Sequence, residues 1–159
     1  MPFCAVYMEN DMPLSICWGI RNGEEYMLSS EKGTEYKLLE KSVTDMETVV
    51  KWKCSLRNGY EAVETLVMKD CGIHLHFEGA GDICCLLPAL VYDGKKDTQV
   101  EVNDNCLSID YCGWQCRYTV TGTMRDTEKV YANRNGHYRA FAVEGENRIG
   151  VTITIEKLV

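Results

Sequence analysis

Apolar and polar residues alternate with a period of two in four stretches of the chain. Leu107, Ile109 and Tyr111 are interleaved with Ser108, Asp110 and Cys112, and Trp114, Cys116, Tyr118 and Val120 with Gln115, Arg117, Thr119 and Thr121. Val151, Ile153 and Ile155 stand against Thr152, Thr154 and Glu156, and Ile73, Leu75 and Phe77 against His74, His76 and Glu78. Such alternation marks strands with one buried and one wet face. Less regular strands are predicted at residues 12–20, 36–40, 48–56, 62–69, 83–87 and 98–102. Only residues 29–39 have helical character, and Gly33 and Thr34 weaken it.

Turn chemistry falls between these segments. Asn22-Gly23, Asn58-Gly59, Asp93-Gly94, Asn103-Asp104 and Asn135-Gly136 suit tight hairpins, because Asn, Asp and Gly accept the positive φ that such turns need. Gly79-Ala80-Gly81-Asp82 and Gly145-Glu146-Asn147 read as further breaks. About ten short strands predict an all-β fold over residues 1–159. The expected architecture is a single domain, a two-sheet antiparallel β-sandwich of jelly-roll-like form, since one open sheet would leave a face unburied.

Charge and composition narrow the function. Seventeen basic residues against 24 acidic ones give a net charge of −7, with no Lys/Arg-rich run. Nucleic acid and anionic membrane are therefore not expected partners. The nine cysteines form no CxxC pair, so zinc-knuckle spacing is absent. They fit reduced thiols packed as small hydrophobes in a cytoplasmic or otherwise reducing compartment better than a secreted disulfide scaffold. No signal-peptide pattern stands in the first twenty residues, and the longest apolar run, residues 83–87, is too short to span a bilayer.

Candidate chemistry is sparse. Asn133, Arg134 and His137 crowd donors, acceptors and a titratable ring beside Asn135-Gly136, and could hold a sugar or a carboxylate. The competing reading is a plain hairpin tip. Trp18, Trp52 and Trp114, with several tyrosines, offer stacking faces for sugar rings, and Trp18 is taken as a ligand-binding candidate; Trp114 and Tyr118 share the parity of a core face. His74, His76 and Glu78 project from one face of a strand and could share a metal, or could be only a solvated row. No hydrolase, zincin or phosphate-loop motif occurs, so no catalytic residue and no cofactor are assigned.

Leu87-Pro88-Ala89-Leu90, Tyr92-Asp93-Gly94, Tyr111-Cys112-Gly113-Trp114, Arg117-Tyr118, Asn133-Arg134-Asn135-Gly136-His137-Tyr138 and the closing strand at 151–155 carry a resemblance. This half of the chain resembles the C-terminal β-sandwich of large bacterial carbohydrate-active proteins of heparinase II/III type. In that family a helical (α/α) toroid precedes the sandwich and carries most catalytic residues. This sequence contains no toroid. The resemblance therefore implies a non-catalytic accessory module of polysaccharide processing, whose partner is an oligosaccharide, a catalytic domain, or both. Two alternatives stand beside it: a small metal-dependent or acid/base enzyme using His74, His76 and Glu78, and a structural or self-associating sandwich without ligand.

Overall fold

The computed structural model describes residues 8–9, 12–13, 16–22, 25–133 and 136–158. Among them there is no helix, and every strand pairing is antiparallel. The strands are β1 (Met8–Glu9), β2 (Met12–Pro13), β3 (Cys17–Asn22), β4 (Glu25–Leu28), β5 (Glu35–Val43), β6 (Thr48–Ser55) and β7 (Glu61–Lys69). They continue with β8 (Gly72–Tyr92), β9 (Gln99–Asn103), β10 (Cys106–Tyr111), β11 (Trp114–Thr121), β12 (Thr123–Asn133) and β13 (Gly136–Lys157). The 29–39 stretch, where sequence allowed a helix, is a turn followed by β5, and the alternation of Tyr36 and Leu38 with Lys37 wins over local propensity.

β1 and β2 form a two-stranded ribbon, and hydrogen bonds join the other eleven strands into one sheet. Its main path runs β5-β6-β7-β8-β13-β11-β10-β9, with β12 paired to β13 and the β3-β4 hairpin paired to β8. The hydrogen bonding thus gives one sheet where two were expected. The reason lies in β8 and β13, of 21 and 22 residues, which were expected to be interrupted at their glycines. The chain bends there without breaking. Residues 79–81 of β8 stand opposite the single residue Asn147 of β13, and pairing resumes on both sides. Gly81 (φ +78°) donates its N–H to Asn147 Oδ1 at 2.8 Å, while Asn147 itself lies at φ +62°. A bulge in paired strands bends them and increases their twist.

Beyond this corner the sheet returns over itself. Tyr118 lies in register with Ile153 and, through it, with Ile73 in the first half of β8, yet its hydroxyl donates to the carbonyl of Pro88 in the second half at 3.4 Å. Trp18 pairs with Cys85, but its ring lies 6.4 Å from that of Phe77 and 6.3 Å from that of Tyr60. One face of the sheet therefore encloses a continuous core. It includes Trp18, Cys54, Phe77, Leu87, Leu107, Phe141 and Val151, all almost fully buried. A smaller cluster, Cys17, Leu28, Leu86 and Ala142, occupies the opposite face of the second halves. All eight cysteines among the described residues are free thiols, and several sit in these two clusters.

The turn pairs fall between paired strands, but several are shifted from the expected centre: Asn103 pairs with Cys106, which leaves Asp104 and Asn105 in the turn, and Asn22 pairs with Glu25. At the β12-β13 junction Asn133 pairs with Gly136, so Gly136 belongs to β13, while Arg134 and Asn135 lie outside the described residues. Gly136 (φ +141°) begins β13, where any Cβ would collide with the carbonyl oxygen of Tyr92. Cys112-Gly113, with φ +52° and +79°, forms a two-residue turn that joins Tyr111 to Trp114.

Candidate functional site

Among the described residues, the two binding candidates with described side chains, Trp18 and His137, do not converge: one is buried and the other exposed. Arg134 lies outside the described residues, and Asn133 is described only as the backbone partner of Gly136. His137 is exposed, with its ring 5.1 Å from that of Tyr92 on the neighbouring strand. Trp18 is a correction: at 1% exposure it is a core side chain and offers no face to a ligand. Its parity on β3 points it between the two layers, which a sequence of uncertain strand order did not reveal.

His74, His76 and Glu78 do share the outer face of β8, opposite to Leu75 and Phe77. His74 Nδ1 lies 3.1 Å from Thr152 Oγ1, so that ring is held by its cross-strand neighbour. Among the described residues no group of three or more His, Cys, Asp and Glu side chains is placed to hold a metal ion.

The chemistry that the sequence did not single out is Glu64. It stands on β7 in phase with Ala62, Leu66 and Met68, so the only sequence signal was one acid within an inward-facing row. Its register neighbours are Trp52 on β6 and Phe77 on β8. Trp52 Nε1 donates to Glu64 Oε2 at 2.7 Å. The Trp18 indole N–H also favours the charged carboxylate, but reaches no hydrogen-bond geometry and is left unpartnered. Burial outweighs both contacts and pushes the Glu64 carboxyl up to about 7. The same burial pushes the neighbouring Cys54 thiol up to about 12, which makes it a poor nucleophile.

Coverage of the inner face is uneven. Leu107, Tyr118 and Val120 are buried, whereas Ile155, two residues beyond Ile153 on the same face, is 67% exposed. Trp114 has the expected core parity with Tyr118 but is 49% exposed. Tyr111 and Leu158 extend this open end, while Met68 and Ile73 continue it, half-buried, across β7 and β8. The result is an apolar rim at the β10-β11 turn and the end of β13. The two open concavities, of about 290 and 390 Å³, lie elsewhere in part: the first touches Tyr111 and Leu158, the second is lined by Arg21, Cys84 and Glu144. None of the residues expected to bind from sequence lines either one.

No protein-family model and no curated protein matches the sequence. Solved structures do resemble the fold. Heparan sulfate lyase HepC from Pedobacter heparinus superposes with a TM-score of 0.61 at 10% identity, over 77% of this chain and 22% of that one. A heparinase III structure gives a TM-score of 0.62 at 10% identity, over 89% and 23%. The protein HI1317 gives 0.52 at 7% identity, over 76% and 65%. This chain thus spans less than a quarter of the lyase chains, and what it shares with that part of them is an all-β fold.

Proposed function

We propose that this chain is a non-catalytic β module associated with polysaccharide processing, and that its principal role is to pack on a catalytic body. In this reading the folded sheet serves as a jelly-roll-like sandwich, and the apolar rim at Ile155, Trp114 and Tyr111 is the docking surface. The observation that carries it is the rim itself. Large side chains with core parity stand exposed in a fold that, in the similar lyase chains, forms under a quarter of the polypeptide. Contiguous exposed apolar surface of this kind marks interaction sites.

The test is to mix the chain with the helical catalytic domain of a heparinase III-type lyase from the same genome and follow co-elution. Co-elution is expected, with loss of the complex on Ile155→Glu and unchanged thermal stability of the module alone. A module that never co-elutes, or that does so equally well with the charged variant, refutes the docking surface.

Glycan binding is the second reading, favoured by the exposed His137 ring beside Tyr92 at the β12-β13 tip, with Asn133 and Arg134 as its neighbours in sequence. The net charge of −7 opposes polyanionic glycans, so any binding would rest on stacking and neutral hydrogen bonds and would be salt-tolerant. Binding to neutral oligosaccharides on a glycan array, reduced by His137→Ala, is the expected result of this version; an array without any signal removes it.

A further inference from the structure

β5 forms one end of the main sheet path and, among the described residues, pairs only with β6. All nine of its residues are exposed, including Tyr36, Leu38 at 61% and Val43 at 64%. A long edge strand with an unpaired row of backbone donors and acceptors is a template for another strand. Its side chains identify which strand fits.

Leu38 faces Trp52 and Glu40 faces Lys51, so Leu39 is an extra, bulged residue that reverses the alternation along β5. Before the bulge the inner face carries Tyr36 and Leu38 and the outer face Glu35 and Lys37. After it the inner face carries Lys41 and Val43 and the outer face Glu40 and Ser42. When two copies of β5 pair antiparallel about a twofold axis normal to the sheet, inner residues must meet inner ones and outer residues outer ones. Registers that engage β5 on both sides of the bulge then match an odd-numbered residue with an even-numbered one. One of them sets Lys37 opposite Glu40, twice by symmetry, with Tyr36 opposite Lys41 on the inner face. Sliding two residues one way sets Glu35 against Glu40, which repels. Sliding the other way sets Lys37 against Ser42 and forms no ion pair.

We propose that this chain self-associates through β5, antiparallel, in the register that pairs Lys37 of each copy with Glu40 of the other. Neither side chain has an ion-pair partner among the described residues, so both are available for the contact. Cross-strand opposite charges stabilise such a pairing, and like charges directly opposite weaken it.

Sedimentation equilibrium of the full chain over a concentration series tests the proposal. The expected result is a mass that rises with concentration toward twice that of the chain. Lys37→Glu and Glu40→Lys, made singly, are each expected to weaken association about tenfold, since two symmetric pairs turn from attraction to repulsion. The double variant K37E/E40K is expected to restore it. Both positions are exposed, and circular dichroism confirms that the variants fold. A chain that stays monomeric throughout, a dimer indifferent to either single reversal, or a double variant that fails to recover overturns the proposal.

Discussion

Replacing Glu64 by Gln is expected to stabilise the protein at pH 8 and to leave it nearly unchanged at pH 4.5. Glu64 is a buried carboxyl, 7% exposed. Its carboxyl ordinarily titrates at 4.5 and is pushed to about 7 in the folded state, chiefly by burial. The folded state therefore holds a proton that the unfolded chain has released between these two values. Stability contributed by the protonated form is complete below pH 4.5 and is lost as pH rises through 7. A shift of this size corresponds to about 3 kcal/mol, to order of magnitude. An amide at position 64 keeps an oxygen to accept the Trp52 indole N–H but has no charge to desolvate. Denaturant unfolding of both proteins from pH 4.5 to 8 measures the effect. The difference in unfolding free energy should open between those limits in favour of E64Q, and a difference independent of pH would contradict a carboxyl buried as described.

The second large effect is expected at Trp18. Truncation to Ala removes the side chain that bridges the two layers through Phe77 and Tyr60, and should cost about 3–5 kcal/mol, the usual range for a buried aromatic. Replacement by Phe should cost much less than this. It refills most of the volume and removes an indole N–H that the core leaves unpartnered. Midpoints of urea unfolding for the two variants distinguish this role from that of an exposed ligand platform. A platform residue would tolerate Ala with little loss of stability, and that outcome would place Trp18 outside the core.

Much of the architecture was legible in the sequence. The strands at 48–56, 62–69 and 98–102 lie within a residue or two of β6, β7 and β9, and the alternating runs of β10 and β11 bury the predicted face at Leu107, Ile109, Tyr118 and Val120. These segments were readable because a strand in a layered fold writes its buried face directly into a period of two. Residues 79–82 and 145–147 were not readable in the same way. Glycine and asparagine there signal positive φ, and positive φ serves a hairpin turn and a bent, bulged strand equally well. The β12 strand, with Arg125, Asp126, Glu128 and Lys129, was missed because its polar run carries no alternation to detect.

The sequence drew attention to crowded polar residue types and passed over a single buried acid. The stretch 133–138 drew attention through residue types, and among its described residues Asn133 pairs with Gly136 and the His137 ring lies beside Tyr92. Glu64 drew none, because one carboxylate in an apolar row looks like an ordinary surface residue until the row is known to face inward.

By itself the sequence determined that this protein is all-β and antiparallel, which face of its regular strands turns toward the core, and its net charge of −7. All of these follow from local periodicity and summed charge. The tertiary structure alone decided that β8 and β13 bend as a pair and carry one sheet over itself. That bend sets how far the second layer extends. It buries Trp18 against Phe77, encloses Glu64 and leaves Trp114 and Ile155 uncovered, because coverage of a side chain depends on the layer stacked above it and not on its own strand.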